Sequence, residues 1–159
     1  AAWEGVWQLL GRSEGYFKTD YRIEPVHYVD GLIDESPRLR VTAHHNHHLE
    51  DPAPGEPWHS FSFRLEAGGK TTVISGDVGD ISDLEPLLPG ADWLLMETGH
   101  HQVEKIAAYL REHFPNVRLC LYHHGRAMLA DSAGQAAKGE AILGTPIVVA
   151  EEGLSLVIE

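Results

Sequence analysis

The stretch Thr71-Thr-Val-Ile-Ser-Gly-Asp77 is the one around which the rest of the sequence can be arranged. Val73 and Ile74 are β-branched and apolar, which favours a buried strand. Gly76 permits a tight turn directly after that strand, so Asp77 is presented at the strand's end. A carboxylate in this position serves either as the N-cap of a following helix or as a ligand. The residues at the ends of the neighbouring strands help to decide between a cap and a ligand.

Two further predicted strands run into histidines. The strand at residues 37–43 continues into His44-His-Asn-His-His48, and the strand at residues 117–122 continues into His123-His124. The other predicted elements are a helix at 3–10, a strand at 21–29, a loop at 51–57, a hairpin of 60–66 with 70–75 across Gly68-Gly69, a helix at 81–88, a strand at 92–97, a helix at 101–114, a helix at 127–142 and a closing hairpin of 147–150 with 154–158. Strands followed by alternating helix and strand predict an α/β arrangement with helices covering a sheet.

Composition limits the classes of function. The 159 residues suffice for one domain with a real core, and eleven histidines are the outlier. Twelve basic against 24 acidic residues give a net charge of −12, which argues against binding an extended nucleic acid, although a local site could still hold one phosphate. The single cysteine, Cys120, is expected to be a buried apolar residue. One cysteine, no long apolar run and no visible signal peptide lead us to expect a cytoplasmic protein without membrane contact.

The three strand ends carry the ligand types of a transition-metal site. Neutral imidazoles and a carboxylate suit Zn²⁺, Mn²⁺ or Fe. Strand ends on the same edge of a sheet would bring side chains of the His44–His48 stretch, Asp77 and the histidines after residue 122 within coordination reach. The competing interpretation of each histidine is a solvated loop residue. The residue types alone do not distinguish this from a metal ligand.

An ordered set of motifs in residues 38–158 resembles the C-terminal half of the metallo-β-lactamase fold, closest to the ribonuclease Z and phosphodiesterase-like branches. Each motif is weak alone, but their order and separations fit together. The set consists of Val41-Thr-Ala43 leading to His48, then Ser75-Gly-Asp77, then Asp92-Trp-Leu-Leu-Met-Glu97, then His101 opening a helix, and finally Leu121-Tyr-His123.

The sequence departs from the family at two places. The threonine that usually follows the aspartate is Val78, which removes a hydroxyl near the site. The motif His-x-His-x-Asp-His, which belongs to the N-terminal half, is missing: His45-Asn-His47 is His-x-His, but Leu49 stands where the motif needs Asp. We therefore expect residues 1–159 to form one segment, half of an αββα sandwich with a mixed sheet and helices on one face. Such a chain could be a fragment, a proteolysed product or one part of a split enzyme.

The resemblance implies a role for each site residue. Asp77 would bridge two metals, His48 would be a terminal ligand of the first and His123 a ligand of the second. His101 would face the site from a helix start and donate to a phosphate oxygen or protonate the leaving group. Three alternatives stay open: His47 for His48, His100 for His101, and His124 for His123. Glu97 is expected either to hydrogen-bond a ligand histidine or to be a buried polar residue satisfied by the backbone.

The implied activity is metal-dependent hydrolysis of a small phosphodiester or nucleotide by a metal-bound hydroxide, with Zn²⁺ as the expected ion and Mn²⁺ or Fe as alternatives. We expect no hydrolysis by this chain alone, because three ligands cannot fill two coordination spheres. We also expect a partner, either the missing N-terminal half or a second copy. A noncatalytic half-domain and a thioester or lactone hydrolase are the competing hypotheses.

Overall fold

The computed structural model describes residues 26–158. The helix predicted at residues 3–10 lies outside the described residues, as does the first part of the strand predicted at 21–29. Residues 26–29, the described part of that predicted strand, form no strand.

Among the described residues, seven strands form one mixed sheet in the order of the chain. The strands are β1 (Gly31–Glu35), β2 (Arg40–His45), β3 (Phe61–Ala67), β4 (Lys70–Ile74), β5 (Trp93–Thr98), β6 (Arg118–His124) and β7 (Ile147–Val149). Strands β1 to β4 pair antiparallel, whereas β4 to β7 pair parallel. Strands β2, β4, β5 and β6 therefore all point the same way, and their carboxyl ends meet at one edge of the sheet.

The hairpin of β3 and β4 was predicted from its turn. Gly68 and Gly69 have φ angles of 58° and 76°, and Ala67 pairs with Lys70 across them. A two-residue hairpin turn of this kind requires positive φ at both central positions, which glycine adopts without steric cost. The turn sets the register of β4 and hence the position of Asp77.

Helices cover one face of the sheet, as predicted. They are a 3₁₀ helix (Ile81–Leu84), α1 (Val103–His113), α2 (Arg126–Ala130) and α3 (Ser132–Leu143). The core between helices and sheet contains Val73, Leu94, Met96, Leu119 and Leu121 from the strands and Val103, Ile106, Ala107 and Leu110 from α1. The spacing of three and four residues along α1 is what places its apolar side chains on one stripe.

A close contact between α1, α3 and β7 explains a glycine inside α3. A Cβ atom added to Gly139 would lie 2.6 Å from Val103 Cγ1 and 2.7 Å from Ile147 Cδ1. Glycine at this position lets the elements approach more closely than any side chain would allow, which outweighs its low helix propensity.

Four local predictions need correction. Residues 127–142 form two helices rather than one, because Asp131 ends α2 and caps α3 by accepting a hydrogen bond from Gly134 N at 2.9 Å. The predicted helix at 81–88 is a 3₁₀ helix limited to Ile81–Leu84. Residues 154–158 form no strand, and β1 was not predicted. Strand β1 reads Gly-Leu-Ile-Asp-Glu and is a mostly exposed edge strand, so it lacks a clear apolar alternation.

Two strand residues on the face of the sheet opposite the helices are buried. Trp93 and Cys120, which alternate with the core residues of β5 and β6, are only 2% and 3% exposed. The Arg118 guanidinium lies 4.4 Å from the centre of the Trp93 ring. Within residues 26–158, no helix is long and apolar enough to cross a membrane.

Candidate metal centre

The carboxyl ends of β2, β4, β5 and β6 bring the predicted ligand residues together. His48 follows β2, Asp77 follows β4, His100 follows β5, and His123 lies near the end of β6. These four residues come from distant parts of the chain, and they meet because parallel strand directions place the ends of all four strands at one edge. The site is therefore a direct consequence of the sheet's topology.

Asp77 is the centre of this arrangement. Its Oδ1 lies 2.6 Å from His123 Nδ1, and its Oδ2 lies 3.9 Å from His48 Nε2. Gly76, directly before it, has φ 61°, and a Cβ at that position would lie 2.8 Å from the Phe61 carbonyl oxygen. Glycine is thus required twice over at this turn, for its conformation and for its lack of a side chain.

Two groups of potential ligand atoms share Asp77. One group contains His48, Asp77 and His100, and the other contains Asp77, Glu97 and His123; in each, the ligand atoms lie within 4.8 Å of one another. His100 enters as a member of the first group, with its ring centre 5.2 Å from that of His48 and 6.3 Å from that of His123. The sequence had offered His100 only as an alternative to His101.

A buried amide holds the end of β2 in place. Asn46, which is fully buried, donates from Nδ2 to Ser62 Oγ at 3.0 Å and accepts a hydrogen bond from the His48 backbone N–H at 3.1 Å. Ser62 Oγ in turn donates to the Ser75 carbonyl oxygen at 2.6 Å. This chain of bonds ties the His48 backbone to Ser75, between the end of β4 and Asp77.

His47 lies away from Asp77 and binds a different carboxylate. Its Nδ1 is 2.8 Å from Asp83 Oδ1, and its backbone N–H donates to Asp83 Oδ2 at 3.1 Å. The hydrogen bond to Asp83 raises the pKa of His47 above its ordinary value. Of the two adjacent histidines, it is His48 that the structure places beside Asp77.

His123 and His124 also point to different partners. His124 Nε2 lies 2.7 Å from the Ala150 carbonyl oxygen and its Nδ1 lies 3.2 Å from Thr98 Oγ1, so both ring nitrogens are used in joining β6 to its neighbours. His123 has φ 47° and is the one non-glycine residue with positive φ among residues 26–158. This left-handed conformation is uncommon outside glycine and is found at functional sites more often than elsewhere.

Glu97 is a buried carboxylate with an unsatisfied oxygen. It is 0% exposed; its Oε2 accepts a hydrogen bond from the His100 backbone N–H at 3.1 Å, whereas Oε1 has no hydrogen-bond partner within the described part of the chain. His101 Nε2 approaches Oε1 to 3.3 Å, but it donates to the Val78 carbonyl oxygen at 3.0 Å. Among the described residues, His101 thus lies against Val78 and Glu97 and outside both ligand groups, while His100 belongs to the first group.

The donor set fits a divalent transition metal. Three imidazoles and two carboxylates supply five ligand atoms of the types that Zn²⁺, Mn²⁺ and Fe accept. The lone oxygen of Glu97 supports this fit, because a buried carboxylate oxygen without a partner is costly unless it has a cation to bind.

The comparisons with known proteins agree with the fold. No family model matches the chain, and no curated protein matches it. Among solved structures, the metallo-β-lactamase fold protein YhfI from Bacillus subtilis is similar over 80% of this chain, at 16% identity and a TM-score of 0.61. Zn²⁺-bound PqqB from Methylobacterium extorquens is similar over 82% of the chain, at 21% identity and a TM-score of 0.51.

This chain thus has part of the metallo-β-lactamase fold, and the predicted resemblance to that fold is confirmed. It covers 52% of the YhfI chain and 54% of the PqqB chain, so it spans about half the length of the structures it matches. Human tRNase Z, short form, is similar only at a TM-score of 0.39, which is too low to bear on the branch within the fold.

Proposed function

We propose that this chain supplies part of the metal centre of a metal-dependent hydrolase that cleaves phosphodiesters. The observation that carries the proposal is the convergence of ligand side chains from four strand ends on Asp77. In this proposal His48, Asp77 and His123 hold the metal, with His100 and Glu97 as further donors in the same two groups. A bound Zn²⁺ would polarise the scissile bond and lower the pKa of water, and Mn²⁺ or Fe would suit the same donors.

The chain's own residues prepare the site for an anionic substrate. The Asp77 carboxylate orients the His123 ring, because its Oδ1 accepts the Nδ1 proton and leaves Nε2 free to bind. Asn46 Oδ1 accepts a hydrogen bond from the His48 backbone N–H and so fixes the backbone at His48. Both ligands are then held in place before an ion or substrate arrives, which reduces the ordering cost of binding.

His101 is the proposed general acid. Its Nε2 proton is held by the Val78 carbonyl oxygen, so a protonated ring would still have its Nδ1 proton to donate to a leaving oxygen. The net charge of −12 favours a small substrate recognised locally, a phosphodiester or nucleotide, over an extended nucleic acid.

Metal analysis tests the ligand set. We expect the purified chain to bind Zn²⁺ and Asp77→Ala to lose the Zn²⁺ held at the Asp77 centre, while Asp34→Ala, which replaces an exposed carboxylate on β1, keeps the wild-type content. Unchanged Zn²⁺ content in Asp77→Ala would overturn the assignment of Asp77. Circular dichroism of both variants establishes that they are folded.

A hydrolysis assay tests the reaction. The sequence that precedes Ala1 in the gene is read for His-x-His-x-Asp-His, and the chain is assayed alone and together with a polypeptide that carries the motif. We expect chelator-sensitive cleavage of bis-p-nitrophenyl phosphate in the second case only. Cleavage of a thioester but not of the phosphodiester would establish the competing hydrolase, and Zn²⁺ binding without any hydrolysis would establish a noncatalytic half-domain.

A further inference from the structure

A second cluster of ligand side chains lies at the start of β1 and the end of β2. The ligand atoms of Asp30, His44 and His45 lie within 4.8 Å of one another. The pairing of Gly31 with Ala43 brings Asp30, just before β1, next to the two histidines that close β2. This cluster shares no residue with the two groups around Asp77, and the sequence motifs gave no sign of it because Asp30 lies outside every one of them.

The two histidines have an unusual relation for neighbours on a strand. Successive side chains of a strand point to opposite faces of the sheet. The rings of His44 and His45 nevertheless lie 4.7 Å apart between their centres, at an angle of 37°. Both Nδ1 atoms face one oxygen, Asp30 Oδ2, at 3.7 Å from His44 and 2.5 Å from His45.

The surroundings hold this arrangement in place while leaving it accessible. The His45 ring stacks on Trp58 with centres 4.0 Å apart, and its backbone N–H donates to Asp30 Oδ1 at 2.7 Å. The side chains of Asp30, His44 and His45 are 39%, 29% and 23% exposed, respectively. His44 and His45 also line an open cavity of about 350 Å³, so an ion can reach them from solvent.

We propose that Asp30, His44 and His45 form a second metal site, for a divalent cation of the Zn²⁺ class, separate from the centre at Asp77. Two imidazoles and a carboxylate are three ligands of a tetrahedral site whose fourth position is open to water. With metal–ligand bonds of about 2.0 Å, tetrahedral ligands lie about 3.3 Å apart. The observed separations of 2.5 Å and 3.7 Å lie on either side of that value, so small side-chain rotations complete the geometry.

Binding requires one proton to move. In the structure, His45 Nδ1 donates its proton to Asp30 Oδ2. The ion takes the place of that proton between the two atoms, and the neutral ring then carries its proton on Nε2. The bound ion joins the beginning of β1 to the end of β2, and it therefore clamps the edge strand to the rest of the sheet.

The experiment removes the first centre and then tests the second. Zn²⁺ affinity of the full chain is measured by competition with a chromophoric chelator, in Asp77→Ala and in the double variants that add His44→Gln, Asp30→Asn or His59→Gln. His44 has the fewest other contacts of the three ligands, so His44→Gln is the variant least expected to disturb folding. His59→Gln is the matched control, a histidine outside every ligand group.

We expect Asp77→Ala to bind one Zn²⁺ per chain, and His44→Gln and Asp30→Asn to weaken that binding about tenfold or more. Cu²⁺ bound at the second site should quench the fluorescence of Trp58 in Asp77→Ala. Adding Trp58→Phe should abolish the quenching that this site causes. Affinity unchanged by His44→Gln in a folded protein, or no Zn²⁺ bound by Asp77→Ala, would overturn the proposal. Affinity unchanged by His44→Gln would not bear on Asp77, whose test is the difference in Zn²⁺ content between the wild-type chain and Asp77→Ala.

Discussion

The Asp77 carboxylate and the His123 ring meet at 2.6 Å across the end of the strand that separates them in the sheet. Asp77 follows β4 and His123 is the next-to-last residue of β6, with β5 between them. Their contact over the end of β5 closes the edge where the ligand side chains gather. Each side chain therefore fixes the other, and the geometry of the site depends on both.

Replacing His123 should weaken Zn²⁺ binding at the Asp77 centre, whereas replacing His124 should reduce stability. His123 is half exposed and reaches Asp77; His124 hydrogen-bonds Ala150 and Thr98 within the sheet. We expect His123→Ala to lower Zn²⁺ content with little change in unfolding free energy. His124→Ala should cost about 1–3 kcal/mol, the cost of leaving buried polar groups unpaired, and should retain Zn²⁺. Metal analysis and urea unfolding give both quantities, and the reverse pattern would show that the two histidines had been assigned the wrong way round.

Gly76→Ala should destabilise the protein much more than Gly68→Ala. Both glycines have positive φ, at 61° and 58°. A Cβ at Gly76 would also lie 2.8 Å from the Phe61 carbonyl oxygen, whereas a Cβ at Gly68 meets nothing within 4 Å. The left-handed conformation alone costs an L-residue about 1–2 kcal/mol. We expect roughly that cost for Gly68→Ala and at least about 1 kcal/mol more for Gly76→Ala in urea unfolding. Equal costs would mean that the backbone at Phe61 moves enough to accommodate the added methyl group.

Asn46→Ala should weaken both the fold and the metal centre. The substitution removes the acceptor of the His48 N–H and the donor to Ser62, both in buried surroundings. We expect a loss of about 1–3 kcal/mol and a lower affinity for Zn²⁺, because the end of β2 is no longer fixed. Asn116→Ala, at an exposed position before β6, is the control. Full Zn²⁺ affinity in Asn46→Ala would show that His48 does not depend on this support.

The charge of Asp80 should stabilise the fold at neutral pH but not in acid. Asp80 caps the 3₁₀ helix, and hydrogen bonds from the Ser82 backbone and hydroxyl lower the pKa of Asp80 below its ordinary value of 3.8. A lowered folded-state pKa adds stability above the ordinary value, and that stability is lost as the pH falls through the folded-state value.

Comparing Asp80→Ala and Asp80→Asn separates the cap from the charge. Asp80→Ala should cost about 1 kcal/mol at pH 7. The difference between wild type and Asp80→Asn, which keeps a capping oxygen, should be present at pH 7 and should shrink as the pH is lowered below about 4. Urea unfolding at a series of pH values gives the curves. If the difference in unfolding free energy between wild type and Asp80→Asn does not depend on pH, the stabilisation comes from the capping geometry and not from the charge of Asp80.

The expected partner can be tested by sedimentation. We propose that the chain packs against a missing N-terminal half or against a second copy. Sedimentation of the isolated chain should then show a dimer, or a monomer that shifts in size when a polypeptide with the His-x-His-x-Asp-His motif is added. A cooperatively melting monomer that binds no such polypeptide would exclude both arrangements.

The helix-and-strand pattern of most of the chain follows from local sequence. The β3–β4 hairpin was predicted from Gly68-Gly69, and α1 from its apolar stripe, because turn conformation and one-sided burial leave their marks within a few residues. Strand β1 and the break at Asp131 were missed. An exposed edge strand has no apolar face to reveal it, and Asp131 is both the end of one helix and the cap of the next.

The ligand types and their order could likewise be read from the sequence, because imidazoles and carboxylates after apolar strands are visible in one dimension. The sequence could not show whether His123 or His124 faces Asp77. The answer depends on the backbone turn at His123, with φ 47°, and on the hydrogen bonds that the Ala150 carbonyl and the Thr98 hydroxyl make to both ring nitrogens of His124. The sequence also could not show that His100 lies close to His48 and Asp77, or that Asp30 lies close to His44 and His45. Those contacts join residues through strand register and side-chain rotation, and these are fixed only when the whole sheet has assembled.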